Sequence, residues 1–93
     1  AVAARFADME QLVEDVALTG LSARLARSLL RLRDPDGVIE TTHEALATEI
    51  GSGRAAVSRG LAAFARAGLV ELGRGQVRVI DAGRLDALSH EPD

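Results

Sequence analysis

The sequence predicts a mainly α fold with a small β-hairpin: a winged helix-turn-helix, preceded by part of a dimerisation helix. Three observations predict it. A small residue, Ala47, is followed four positions later by Gly51 and then by the β-branched Val57, as in two helices meeting at a tight corner. Residues 69–80 alternate apolar and polar side chains on either side of a glycine turn. The elements run helix, helix, short strand, helix-turn-helix, hairpin, with no βαβ unit among them. On this reading residues 1–17 end a dimerisation or linker helix, residues 18–90 form the winged-helix domain, and residues 91–93 are a disordered tail.

Each element has a local reason. Val2, Phe6, Met9, Val13 and Val16 follow a spacing of 4, 3, 4, 3, which is a heptad seam. Two heptads are marginal alone, so the seam is expected either to pair with a second copy, the favoured reading, or to pack on its own domain. It begins uncapped, as a longer helix cut short would, and the chain reads as a fragment of a larger protein. Thr19 can cap the next helix, residues 20–33, with Leu21, Leu25, Leu29 and Leu32 on one face. Asp34-Pro35-Asp36-Gly37 is a turn, and Val38-Ile39-Glu40 fits a short strand. Thr41 with Glu44 matches a capping box for a third helix, and Thr42 serves equally as its cap. Leu46, Ala47 and Ile50 face inward, and Gly51 ends the helix. A fourth helix runs from about Gly53 to Ala67 on Val57, Leu61 and Phe64, and Gly68 closes it. Leu69-Val70-Glu71-Leu72 and Gln76-Val77-Arg78-Val79-Ile80 flank a Gly73-Arg74-Gly75 turn, with Val77 and Val79 on one face and Gln76 and Arg78 on the other. Asp81 can cap a last short helix.

Composition narrows the function. The 47% hydrophobic share is mostly Ala, Leu and Val, with two Phe and no Trp or Tyr, which suits small helices packed closely. No apolar run approaches 18 residues, so no transmembrane span and no membrane partner are expected. No basic-then-apolar leader opens the sequence, and no cysteine is present. Disulfides, thiolate metal sites and iron–sulfur clusters are excluded for this segment, and a cytoplasmic location is the default. The net charge of −3 is unevenly spread. Residues 51–79 hold Arg54, Arg59, Arg66, Arg74 and Arg78 against Glu71 alone, while the flanking segments are acidic. A polyanion responds to the local patch, because fields are screened within ~8–10 Å in physiological salt. Every basic residue is Arg, which suits bidentate contacts to phosphate and guanine.

Residues 50–60, IGSGRAAVSRG, could be a phosphate-cradling loop or the corner of the helix-turn-helix. A nucleotide-binding loop needs a buried strand before its glycines and a Lys after them; here a helix precedes them and there is no Lys. With Val57, Leu61 and Phe64 buried, the outward face of the first two turns carries Arg54, Ala55, Ser58 and Arg59, the candidate base contacts. The free N–H groups beginning at Gly53 favour an anion, and the Ser52 hydroxyl can accept from a first-turn N–H or donate to phosphate. Thr42 and His43, opening the preceding helix, and Arg74, at the hairpin tip, are candidate phosphate contacts; Arg66 and Arg78 are weaker ones.

Thr42 to Asp81, THEALATEIGSGRAAVSRGLAAFARAGLVELGRGQVRVID, resembles the C-terminal DNA-binding domain of the Crp/Fnr family of bacterial transcription regulators. Residues 18–32 resemble the helix that opens that domain, and residues 1–17 the end of its long dimer helix. The resemblance implies a homodimer acting on double-stranded DNA in transcription regulation, with RNA polymerase as a further partner. It implies no cofactor in this chain, any effector binding a missing N-terminal domain. Arg54 and Arg59 match the family's base-reading arginines, and Thr42, Ser52 and Ala56 match its backbone-contact positions. Two departures stand out. Ala55 replaces the usual Glu, which removes an acceptor for cytosine N4, so base preference relaxes or shifts there. Gly60 replaces a large apolar residue; it costs ~1 kcal/mol against Ala in mid-helix, and either permits a closer helix crossing or leaves the recognition helix less rigid.

No enzymatic role is expected. His43 and His90 lack metal-ligand spacing, nothing activates Ser58 as a nucleophile, and the acids are scattered. The alternative function is a winged helix used as a protein-interaction or assembly module without DNA binding, which the overall acidity and the loss of Glu at Ala55 favour.

Overall fold

The computed structural model describes residues 20–91. The heptad seam of Val2, Phe6, Met9, Val13 and Val16, the Thr19 cap, and Pro92 and Asp93 lie outside the described residues. Helix α1 occupies residues 20–32. It is followed by β1 (Val38–Glu40), α2 (His43–Ile50), α3 (Arg54–Arg66), β2 (Val70–Gly73), β3 (Gln76–Val79) and α4 (Ala82–Ser89).

One core joins these elements. Leu25 and Leu29 of α1, Leu46 of α2, Val57 and Leu61 of α3, Val77 of β3 and Leu85 of α4 are fully enclosed, with Ile39, Phe64, Leu69 and Val70 around them. Leu32, expected on the same stripe, is 41% exposed. Its angular position fits the buried face. At the last residue of the helix, however, its neighbours are Asp34 and residues 38–41, around an open hollow rather than a packed layer.

The turn after α1 forms because the Asp34 carboxylate accepts from the N–H groups of Asp36 and Val38, each at 2.9 Å. It delivers β1 to the edge of β3. The two pair antiparallel, Ile39 opposite Val77, so the predicted hairpin is part of a three-stranded sheet in the order β1-β3-β2. Gly73 pairs with Gln76, which leaves a two-residue Arg74-Gly75 turn instead of the three-residue turn expected. Ile80, expected in the strand, lies just beyond it and is 49% exposed. Val77 and Val79 do turn inward, and Gln76 and Arg78 outward.

The helix-turn-helix is set by its caps. Thr42, not Thr41, caps α2: its Oγ1 accepts from the Ala45 N–H at 3.0 Å. Gly51 ends α2 in the left-handed region, φ 69°, where a side chain would be strained. The Ser52 N–H then donates back to the Ala47 carbonyl at 2.9 Å, which closes the corner and launches α3. Val57, Gly60, Leu61 and Phe64 bury one face of α3. At its far end the Leu69 N–H donates to the Phe64 carbonyl at 2.9 Å and turns the chain into β2. Asp81 caps α4 through Oδ1, which accepts from the Arg84 N–H at 3.0 Å.

Candidate nucleic-acid interface

The start of α3 is the natural centre of a site. Its N-cap is Gly53, which offers no side-chain acceptor, and no acid stands in its first turn. The amide groups of Arg54, Ala55 and Ala56 are therefore left without a side-chain cap, at the positive end of the helix. Arg54 and Ser58 lie one turn apart on one side of α3, and Ala55 and Arg59 lie one turn apart beside them. Arg54, Ala55 and Arg59 are exposed, while Ala56 and Ser58 are half-buried.

Arg54 shares an open polar concavity of about 410 Å³ with two other elements: residues 41–44 at the start of α2, and Gly73, Gly75 and Gln76 of the hairpin. The three are held together by backbone. The Thr41 N–H donates to the Gly75 carbonyl at 3.0 Å and fixes the hairpin turn against the entry to α2. Helix start and hairpin thus face the same side, and the domain's own chain does not cover the Arg54 surface. Thr42, His43 and Arg54 meet on this wall; Arg74 is exposed on the adjoining turn. Glu44 lines the concavity too, as the acid in the first turn of α2.

Two hydroxyls singled out in the sequence are engaged. Ser58 Oγ lies 2.8 Å from His43 Nδ1, across the corner between α3 and α2. Ser52 Oγ accepts from Arg24 Nη2 of α1 at 2.8 Å, and so does not cap α3 as one reading allowed. By accepting, it keeps its own proton to donate elsewhere. Arg24 was not visible as a site residue in the sequence. It reads as one more polar residue of α1, and its bond spans 28 positions.

The arginines divide by location. Arg27 donates to the Ser89 carbonyl, Arg31 pairs with Glu49, and Arg84 donates to the Ala67 carbonyl while standing near Asp81. These hold the fold together. Arg54, Arg59, Arg66, Arg74 and Arg78 make no ion pair among the described residues. Arg78 stands opposite Glu71 in the β2–β3 register without closing a bridge. Among the described residues no three His, Asp or Glu side chains converge to hold a metal ion, and no buried side-chain polar atom lacks a partner. No helix among them is long and apolar enough to cross a membrane.

Comparison with known proteins bears on this geometry. The model of the Crp-like helix-turn-helix domain matches residues 23–88. Among solved structures, the catabolite activator protein of Thermus thermophilus is 30% identical with a TM-score of 0.79, over 95% of this chain and 42% of its own. A transcriptional regulator of the Crp/Fnr family from Eubacterium rectale is 34% identical with a TM-score of 0.75, over 97% of this chain and 43% of its own. The reduced CO-sensing protein of R. rubrum is 25% identical with a TM-score of 0.79, over 95% of this chain and 45% of its own. The chain therefore spans less than half the length of these relatives. Comparison with curated proteins gave no match.

Proposed function

The chain belongs to the Crp-like helix-turn-helix family, and on that premise we propose that it binds duplex DNA sequence-specifically as the DNA-reading domain of a transcription regulator. Helix α3 enters the major groove, with Arg54, Ala55, Ser58 and Arg59 toward the base edges. Arg54, in the first turn, reaches guanine O6 and N7 with both arms. Thr42, His43, Ser52, Gly53, Ala56 and Arg74 meet the sugar–phosphate backbone, and the β2–β3 hairpin is the wing.

The observation that carries this reading is the shared concavity, in which the first turn of α3, the start of α2 and the hairpin face one side around Arg54. A duplex laid there meets base-reading and phosphate-holding groups together, and among the described residues the arginines of α3 and the hairpin are not spent on ion pairs. Two copies join through Val2, Phe6, Met9, Val13 and Val16. Their α3 helices then enter successive major grooves ~34 Å apart on an inverted repeat. An effector, if one is used, binds outside this chain, and RNA polymerase is the further partner this reading assigns.

The test is a gel shift on pooled random duplexes, repeated across salt. A DNA reader enriches an inverted repeat and loses affinity steeply, because each neutralised phosphate releases counterions. No enrichment and a flat salt response would instead identify a protein-interaction module.

A further inference from the structure

The 2.8 Å contact between His43 Nδ1 and Ser58 Oγ joins the one ring nitrogen system of the interface to a hydroxyl on the reading face. We infer that His43 sets the hydrogen-bonding polarity with which Ser58 meets the duplex, and so makes the base chosen at that position depend on pH. This rests on the proposed placement of α3 in the groove.

The argument follows the protons. His43 Nε2 has no partner among the described residues, and the ring stands on the wall of the open concavity. A phosphate oxygen there is an acceptor only, so in the complex Nε2 must carry a proton. When the imidazole is neutral, that is its only proton, and Nδ1 is a lone pair. The Ser58 O–H then donates to Nδ1, and Ser58 turns only acceptor lone pairs toward the groove. An acceptor selects the amino groups of cytosine N4 or adenine N6. When the imidazole is doubly protonated, Nδ1–H donates to Ser58 Oγ. The Ser58 proton is released outward and selects guanine O6 or N7, thymine O4 or adenine N7, and no longer the cytosine amino group. One proton on His43 thus inverts what Ser58 reads.

The surroundings leave Ser58 as the group to invert. Ala55, one of its neighbours on the exposed face, has no hydrogen-bonding side chain, and Arg54, one turn earlier, is a donor at any working pH. The charged groups that line the concavity with His43 are Glu44 on its own helix and Arg54 on α3; the hairpin presents Gly73, Gly75 and Gln76 there, none of which titrates.

The test selects binding sites from a pool of random duplexes with this chain at about pH 5.5 and about pH 8.5, values that bracket the ordinary range of an imidazole side chain. The expected result is one position per half-site that admits C at high pH and excludes it in favour of G or T at low pH; A, which offers both a donor and an acceptor, fits either state. The preference there should be about fivefold, the worth of one net hydrogen bond of ~1 kcal/mol, with the other positions unchanged. Ser58→Ala and His43→Ala, with whatever loss of affinity their removed contacts bring, should each yield the same base at that position at both pH values. Identical sites at both pH values would overturn the inference, and so would an inversion that survives Ser58→Ala or a uniform gain in affinity at low pH with no position altered. Failure to enrich any sequence at either pH would overturn the DNA-reading proposal itself, a different outcome from an enriched site that ignores pH.

Discussion

Gly60 lies buried in the middle of α3, and an alanine there tests what the glycine is for. A Cβ at this position would sit 3.1 Å from Leu25 Cδ2 and 3.8 Å from Leu21 Cδ2 on α1. Two effects oppose each other. Alanine gains ~1 kcal/mol of helix propensity over glycine. Against this, carbon–carbon contact is optimal near 3.5–4.0 Å, so Leu25 would have to retreat by several tenths of an ångström. Leu25 is 0% exposed, enclosed by the core, so its retreat would press on the side chains packed around it. Overpacking of this kind costs ~1–3 kcal/mol, so steric crowding outweighs propensity and Gly60→Ala should destabilise by about 1 kcal/mol. In a Leu25→Ala background the obstructing methyl is gone, although that change itself costs ~2–5 kcal/mol. The same Gly60→Ala should there stabilise by about 1 kcal/mol, as propensity is regained and part of the cavity filled. Urea unfolding of the four proteins, followed by helical circular dichroism, gives a coupling energy of about 2 kcal/mol if this is right. An equal change in both backgrounds would show that the glycine does not serve the close approach of α1 and α3.

Three further outcomes concern binding and assembly. Arg54→Ala should lower affinity for the selected duplex by ~1–3 kcal/mol and relax the preference at one base pair; an equal loss on all sequences would contradict a base-reading role. Arg74→Ala should weaken binding evenly and flatten the slope of log affinity against log salt by about one; an unaltered slope would remove the wing tip from the interface. Met9→Glu should convert a dimer to monomers in sedimentation, because a charge in a heptad seam must be desolvated to pair; an unchanged mass would count against the seam.

The elements legible in the sequence are those whose causes are local. Thr42 and Asp81 cap, Gly51 reverses, and Val57, Leu61 and Phe64 repeat at helical spacing, all within a few residues of the structure they specify. The alternation of residues 76–79 likewise names its own buried face. What stayed illegible depends on partners distant along the chain. The short strand β1 carries no mark that it pairs with β3, 38 positions on at Ile39 and Val77. Leu32 has the right angle but no layer above it. At the site, Arg54 was readable from its place after the glycine corner. The engagement of Ser58 by His43 and of Ser52 by Arg24 was not, because a hydroxyl's partner is decided by tertiary approach.

The same distinction explains how an acidic chain can present a surface for DNA. Net charge sums over groups that a duplex would never meet, whereas binding depends on cations within a Debye length of the contact. In this fold the arginines with carbonyl or carboxylate partners, Arg27, Arg31 and Arg84, tie α1 to α4, α1 to α2 and α4 to the end of α3. The arginines of α3 and the hairpin make no ion pair among the described residues and stand on elements already locked in position. Ser52 is held to Ala47 at one end of α3, Leu69 to Phe64 at the other, and the hairpin turn to Thr41. A helix fixed at both ends loses little freedom on docking, so less of the interaction free energy is consumed in ordering. Phosphate attraction alone would tolerate a mobile basic segment; discrimination between bases needs donors whose positions are set before the duplex arrives.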